Sequence, residues 1–553
     1  MPACPDSLVK QAPELPPLLV QLLYNRGISN PSDFEAFLSA SPSLCNDPFL
    51  LPDMSQAVSR IFRALLRGEK IAVFGDFDAD GVTATVIMVE GLEALGGDVI
   101  AYLPHRSEEG HGLNMTALAE FREAGVSLVI TVDCGISSGG AVSHAAELAM
   151  DVIVTDHHTL SGPMPAAVAV VNPKRPDSRY PFPHLAGVGV AFKLIEALTS
   201  GGHASTVEDF LSLVALGTIA DMSPLTGENR YLVKKGIQVM CSSGRPGILA
   251  LLKKSGLSAD RLSSGSIAWD LAPRLNAAGR IDHARIGYAL LHTRTNEDAE
   301  HMAEVLDVVN KERQSLLEIH WNRARQKVLS ATGDRHILLV GDPDFPPGVC
   351  GLVASRLVDE FRRPAIVMQT LGSTARGSCR SLPEFDIIAA LNRCSELFTQ
   401  YGGHPAAAGF SMSLSNMDSL SQRLATDAEE KLAGLDLSPQ LVADAEATPS
   451  MLTGDTFKSV QRLAPFGQGN RQPLFIARQV EVLESRAVGG GGRHLKMKVR
   501  SGGTTWAAIA FDCGSQAKSL PRTMDIIYSS QLNRWNGTES LELNITDFRP
   551  SVP

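Results

Sequence analysis

Three aspartates alternate in the segment GDFDADG at 75–81, and no lysine or arginine lies among Asp76, Asp78 and Asp80. Carboxylates so closely spaced cannot all be neutralised by salt bridges within the segment, and a divalent cation is their natural counter-charge. The D-x-D-x-D-G opening is shared with helix–loop–helix calcium loops. Here, however, Ile87 stands at the twelfth position counted from Asp76, where such a loop needs a glutamate, and a strand precedes the segment. A second group is DHH at 156–158. Imidazole with carboxylate suits manganese or zinc, and carboxylate with water suits magnesium, so the mixed set favours manganese or a site shared by Mn²⁺ and Mg²⁺. Asp133 and Asp221 each close an apolar run, SLVITVD and DFLSLVALGTIAD. Five or six such groups exceed what one tetrahedral ion takes, which points to two ions ~3.5–4 Å apart bridged by a carboxylate, as in hydrolysis of phosphate esters or anhydrides. So many acids repel one another, and without metal this region is expected to be poorly stable.

For these groups to converge, the chain must bring them to one edge. From about residue 70 to 220, short β-branched runs (71–76, 127–133, 151–156, 168–172) alternate with helical stretches such as 82–96. That rhythm is the mark of a buried parallel α/β sheet. Three of the runs end in aspartate, and open α/β sheets place ligands beyond the carboxyl ends of their strands. The segment before Asp221 reads as a buried helix. From Thr295 to Leu329 apolar residues recur at helical spacing without proline or glycine, which predicts a helix of about 30 residues, roughly 45 Å long, able to join two lobes. Beyond it, strands at 336–342 and 364–369, a helix at 349–361 and the small-residue loop GGHPAAAGF at 402–410 predict a second α/β domain. After about Ala433, five short strand-like runs separated by glycines and turn residues predict a β-barrel of the oligonucleotide-binding kind. The first 50 or so residues read as an irregular or helical cap.

A chain of 553 residues suggests three or four domains at about 150 residues each. With 44% hydrophobic and 20% charged residues it is ordinary globular protein, which excludes wholesale disorder. No apolar run approaches the ~18 residues of a membrane span, and the proline-rich start lacks the regions of a signal peptide. A cytoplasmic location without membrane attachment is expected. The 8 cysteines are scattered with no CxxC pair, so they are read as reduced, and Cys134 as a small buried residue rather than a nucleophile. The net charge of −10 disfavours a polyanionic partner, but residues 451–500 hold nine Lys or Arg against three acids. That run is either a polyanion-binding face or a solvated mixed-charge surface. Among the aromatics of the barrel, Trp506, Phe511, Tyr528 and Trp535, at least half are expected to be core.

GDFDADG, TVDCGIS (131–137), DHH and LGTIADMSPL (216–225) resemble the four signature motifs of the DHH phosphoesterase superfamily, and GGHPAAAGF resembles the glycine-rich motif of its associated second domain. The likeness is greatest to the bacterial single-strand-specific exonucleases of that superfamily. It extends over nearly the whole chain through HRSEEGHGLN (105–114), PRLNAAGRI (273–281), GVCGLVASRL (348–357), RGSCRS (376–381) and APFGQGN (464–470). The resemblance implies a cap over 1–55, a DHH metal-binding domain over 56–290, a connecting helix over 291–330, a DHHA1-type substrate-binding domain over 331–435 and an oligonucleotide-binding (OB-fold-like) barrel over 436–553. It implies a two-ion Mn²⁺ or Mg²⁺ nuclease that degrades single-stranded DNA from the 5′ end to mononucleotides in recombination and mismatch repair. A monomer is expected, with a single-stranded DNA-binding protein and a RecQ-type helicase as further partners.

By motif position the ions would be held by Asp78, Asp80, Asp133, His157 and Asp221, with Asp133 and Asp221 as bridges. Manganese pyrophosphatases place a histidine four residues before their paired aspartates, where this chain has Phe74, so Asp76 or water would complete the first ion. His158 would face substrate, as an acid for the leaving oxygen or as a hydrogen-bond donor, and Asp156 would orient a ligand. His404, with Gly402 and Gly403 allowing close backbone approach, would contact a phosphate, as would Arg280 and Arg380. Two other readings are a hydrolase of short oligonucleotides, cyclic dinucleotides or pyrophosphate, and a non-catalytic single-strand-binding factor. The basic third domain favours a long polymer over the first, and the intact carboxylates and histidines disfavour the second.

Overall fold

A computed structural model describes residues 1–551 apart from 107, 161, 201–203, 243, 259–260, 332–334 and 536–537. The first sheet consists of β1 (Lys70–Gly75), β2 (Asp98–Tyr102), β3 (Val126–Val132), β4 (Asp151–Thr155) and β5 (Ala169–Val171), all parallel, in the order β2-β1-β3-β4-β5. Alternate residues of each central strand enter two different cores. Ile71, Val73, Leu128 and Ile130 pack on one face, and Ala72, Phe74 and Val129 on the other. Burial on both faces is why these strands read as continuous apolar runs. β2 carries no such signal because it is a half-exposed edge strand of 5 residues.

The helix Ala79–Ala94 is buried from Ala79 to Leu92, lying between the sheet and the helices Gly187–Thr199 and Leu211–Ala220. Gly217 permits the close approach, since a Cβ there would fall 2.3 Å from Thr83 Oγ1 and 2.9 Å from Asp80 Oδ1. The connecting helix runs from Asn296 to Ser330, 35 residues, with the Thr295 hydroxyl accepting from the Asp298 amide at its start. Its first turns (Ala299, Ala303, Leu306) belong to the core of the first lobe, and Leu317 and Ala324 to a core of the second.

The second sheet has the order β6-β7-β8-β10-β9: β6 (Leu338–Asp342), β7 (Ala365–Leu371), β8 (Thr374–Arg380), β9 (Phe398–His404) and β10 (Ala407–Ser413). Only β6 and β7 are parallel. Gly402, Gly403 and His404 therefore sit on an edge strand and not in the expected loop. The segment is a hairpin with His404 paired to Ala407 across Pro405 and Ala406. Glycine and proline read as breakers, but at Gly403 a Cβ would come 2.4 Å from the Ala407 carbonyl oxygen, so the strand pair itself demands glycine.

The C-terminal strands β12 (Phe475–Val488), β13 (His494–Ser501), β14 (Thr504–Ala510), β16 (Thr538–Pro550) and β15 (Thr523–Trp535) close into a barrel through a β12–β15 pairing, after a short β11 (Ala445–Glu446). Trp506 and Tyr528 are buried and Phe511 is half exposed, while the side chain of Trp535 lies outside the described residues. The basic run of the barrel is largely paired: Arg493 with Asp512, Lys496 with Glu542 (3.8 Å), Lys498 with Glu484 (3.0 Å) and Arg500 with Glu481 (3.1 Å). Asp512, in the turn after β14, and Glu542, on β16, lie outside that stretch of sequence, so a linear charge count does not see them. This face is the mixed-charge surface.

The N-terminal helices Asp6–Gln11, Pro17–Tyr24 and Pro31–Ser39 share one hydrophobic core with the barrel. Arg230, fully buried on the helix Gly227–Ser242, ties barrel, N-terminal helices and metal-bearing lobe together. Its guanidinium donates to the main-chain oxygens of Phe37, Arg462, Leu463 and Ala464 at 2.6–3.0 Å. Removing the barrel would strip the N-terminal helices of their core and leave Arg230 without its acceptors. Among the described residues no helix is long and apolar enough to cross a membrane.

Candidate metal centre and the arginine-lined cleft

β1 ends at Gly75, and the chain turns through Asp76–Asp78 into the helix Ala79–Ala94. Asp78 caps that helix, accepting from the amides of Asp80 (2.9 Å) and Gly81 (3.1 Å). Asp80 lies in the first turn and reaches across to the helix Gly187–Thr199, accepting from the amides of Gly187 (2.7 Å) and Val188 (2.8 Å). Both carboxylates are thus oriented by helix N-termini, where anionic charge is favoured. Asp133 follows β3 with a left-handed backbone, φ 60°. Asp221 caps the C-terminus of the helix Leu211–Ala220 and accepts from Ser223 Oγ at 2.6 Å. Asp156 follows β4, and its carboxylate accepts from the amides of Ile136, His157 and His158 and bonds His158 Nδ1 at 2.8 Å. Asp156 is occupied in orienting the two histidines.

These elements bring together all six acids and imidazoles that the sequence marked as ligands. His157 Nε2 stands 3.1 Å from Asp133 Oδ1, 3.9 Å from Asp80 Oδ2 and 4.0 Å from Asp221 Oδ1. Asp80, His157 and Asp221 present ligand atoms within 4.8 Å of one another, and Asp76, Asp78 and Asp133 do the same. The donor set fits divalent ions on its own evidence. Asp76 Oδ1, Asp133 Oδ1 and His157 Nε2 are buried with no hydrogen-bond partner. Although His157 and Asp133 are 3.1 Å apart, their geometry makes no hydrogen bond. Buried polar atoms are rarely left unsatisfied, and divalent ions held in this cluster would satisfy them.

Burial, reinforced by mutual repulsion, drives the carboxyls of Asp80 and Asp133 well above their ordinary range and Asp78 to about 6. Burial pushes His157 down to about 4, leaving it neutral with a lone pair for a ligand. For His158, burial alone would lower the pKa, but the hydrogen bond and charge of Asp156 raise it to about 9. Cys134 is buried, and burial beside Asp76, Asp156 and Asp133 pushes its thiol far up, so it is no nucleophile.

A pH dependence follows. A carboxyl with a raised folded-state pKa binds its proton more tightly folded than unfolded, so stability falls as pH rises from about 4 through the folded value, about 6 for Asp78 and higher for Asp80 and Asp133. Mn²⁺ replaces those protons. Saturating Mn²⁺ should therefore raise the melting temperature of chelator-treated protein by roughly 5 °C or more at pH 8, and by clearly less at pH 5. Equal shifts at both pH values in a scanning calorimeter would contradict the assignment.

Across the cleft, four guanidinium groups gather from four elements. Arg106 lies after β2, Arg280 on the helix Ala272–Ile281, Arg313 on the connecting helix and Arg380 on β8. Burial, with the charges of Arg106, Arg313 and Arg380, pushes Arg280 down to about 9. Among the described residues none of the four is in an ion pair. Arg380 donates to the Cys379 carbonyl oxygen (2.8 Å), Arg280 to that of Gly348 (3.4 Å), and Arg106 lies over the Phe77 ring. Gly348 and Gly351 make room, since a Cβ would fall 1.9 Å from the Arg280 carbonyl oxygen or 2.8 Å from Arg380 Nη2. Asp76 and Asp78 act on Arg106, and Asp78 on Arg280, only from beyond ion-pair distance, and guanidinium groups gathered without an ion-pair partner suit a phosphate. His404 ends the edge strand β9 of the second lobe. Burial lowers its pKa, helped by the charges of His158 and Lys174.

Arg280 and Arg380 were readable from the sequence only through their family segments. Arg106 was overlooked although it lies in one of them, and Arg313 has no local signal, because arginines on long helices are ordinarily solvated.

Family models match in three places: the DHH family N-terminal domain over 70–218, the DHHA1 domain over 329–430 and the RecJ OB domain over 443–547. The single-stranded-DNA-specific exonuclease RecJ of Escherichia coli K12 is 34% identical over 563 residues, covering 97% of this chain and 96% of that relative. This chain belongs to the RecJ family. The RecJ of Bacillus subtilis 168 is 35% identical over 545 residues, 98% of this chain and 69% of that protein. RecJ of Thermus thermophilus, solved in complex with Mn²⁺, superposes with a TM-score of 0.85 at 30% identity over 100% of this chain and 79% of that one. The same protein has been solved with Mg²⁺. The sheet of aspartates, the connecting helix, the DHHA1 lobe and the closed barrel are thus RecJ architecture.

Proposed function

We propose that this chain is a 5′-to-3′ exonuclease that hydrolyses single-stranded DNA to mononucleotides with two Mn²⁺ or Mg²⁺ ions, in recombination and mismatch repair. One observation carries the reading. A cluster of buried carboxylates and a neutral histidine with unsatisfied ligand atoms lies close to a cluster of arginines that, among the described residues, form no ion pair. In this reading Asp76, Asp78 and Asp133 hold one ion and Asp80, His157 and Asp221 the other. Asp133, in the first trio and 3.1 Å from His157 of the second, would be shared between the two. Asp221, the other expected bridge, groups with Asp80 and His157.

Divalent ions supply Lewis acidity toward the phosphoryl oxygens and the attacking water. The chain's own groups do the rest. His158 is held as an imidazolium by Asp156. Its other ring nitrogen carries the proton given to, or hydrogen-bonded with, the leaving oxygen. Arg280 and Arg380, joined by Arg106, grip phosphate oxygens. His404 contacts a phosphate from the second lobe, with Gly402 and Gly403 letting the backbone approach. The domain division is 56–290, 291–330, 331–435 and 436–553, with 1–55 as an N-terminal cap whose helices up to Ser39 pack on the barrel and whose Leu51 and Met54 pack on the metal-bearing lobe. A monomeric state, a cytoplasmic location, and association with a single-stranded DNA-binding protein and a RecQ-type helicase complete the reading and rest on the family.

Digestion of end-labelled DNA tests it. With Mn²⁺ the protein should release a 5′ label from single strands as mononucleotide, leave duplex largely intact and stop in chelator. Release beginning at a 3′ label, or equal cleavage of duplex, would overturn the reading.

A further inference from the structure

Trp269 is 82% exposed, although it stands within a continuous helical run from Ser264 to Ile281 whose other face is core. Ile267, Leu271 and Leu275 on that face are at most 2% exposed. The turn Ile267–Leu271 is a π-helix, a rare geometry that recurs at functional sites. At helical spacing, Trp269 lies on the same side of the run as Pro273, Asn276 and Arg280, and of these four it alone is exposed. Asn276 Oδ1 accepts from the Ala79 amide of the metal loop (2.8 Å), and Arg280 belongs to the arginine cluster. At the start of the run, Ser264 Oγ donates to the Phe466 carbonyl oxygen, 2.6 Å away in the barrel's APFGQGN segment. Trp269 thus lies between barrel and metal loop, with Asn276 and Arg280 further along the axis by roughly 10 and 16 Å. Among the described residues no ring or cation packs on its indole.

We propose that Trp269 is a nucleobase-stacking subsite, over which one base of the bound strand lies while phosphates further along are held at Arg280. The occupant is a single-strand base because the same helix face runs into the metal loop and the cation cluster, and because a flat indole accepts any unpaired base. This inference rests on the proposed hydrolysis of single strands.

The test is steady-state hydrolysis of long single strands carrying one abasic site, scanned along the strand, by the wild type, Trp269→Ala and Trp269→Phe. On intact strands Trp269→Ala should raise KM about tenfold with kcat nearly unchanged, and Trp269→Phe should recover most of the loss. The wild type should show a KM penalty of similar size when the abasic site falls at one particular position, and Trp269→Ala should not feel that site. An unchanged KM in Trp269→Ala, or the same abasic profile in variant and wild type, would overturn the stacking role. Absence of hydrolysis by the wild type would instead sink the functional reading beneath it.

Discussion

Asp133→Asn should abolish hydrolysis of single-stranded DNA, a loss of about a thousandfold or more, because the bridging carboxylate holds both ions in register. Asparagine is the right replacement. It keeps the shape, and it tolerates the left-handed backbone at φ 60° better than alanine. The variant should fold. Without metal at pH 8 it should melt no lower than the wild type, since the change deletes a buried charge repelled by Asp80, Asp78, Asp76 and Asp221. Its melting temperature should respond only weakly to Mn²⁺. Turnover within tenfold of wild type in saturating Mn²⁺, with contaminating nuclease excluded, would remove Asp133 from the bridging position.

Arg280→Ala should lower kcat/KM on single-stranded DNA by about a hundredfold, as expected when a charge-assisted contact to a phosphate is lost. The number of Mn²⁺ ions bound, read by calorimetric titration, should stay as in the wild type, which separates this variant from Asp133→Asn. Arg280→Lys should restore only part of the loss, because an ammonium keeps the charge but not the planar fork. The size of the effect reflects burial. Arg280 is held beside three other guanidinium groups, so it binds an anion as part of a preorganised cluster rather than as a solvated surface cation. A kcat/KM within threefold of wild type would mean that the phosphate lies elsewhere in the cleft.

The chemistry of the metal centre was readable from the chain alone. Four of its six donors, Asp76, Asp78, Asp80 and His157, lie in GDFDADG and DHH, Asp133 and Asp221 each close an apolar run, and acids without neighbouring cations demand an ion wherever they are placed. The parallel strands β1, β3 and β4 were readable too, because burial turns each into an apolar run that closes on an aspartate, while the half-exposed edge strand β2 was not. The connecting helix declared itself by its length and spacing, and the barrel by its rhythm of turns.

What the sequence could not carry was every property made between distant segments. The basic run of the barrel could be read as an anion-binding face or a mixed-charge surface, and Asp512 from the turn after β14 and Glu542 from β16 pair with part of it. The unpaired cations instead come together from residues 106, 280, 313 and 380, far apart in the chain. GGH looked like a loop because glycine is a breaker in isolation, and it became a strand because β10 lies too close for any Cβ at Gly403. The first three helices carried no hint of their partner until the barrel core formed beside them. Local spacing records which groups must be neutralised or buried, because those costs are borne residue by residue. Which groups do the neutralising, and which surface stays positive for a phosphate, depends on distances of a few ångströms that only the folded chain sets.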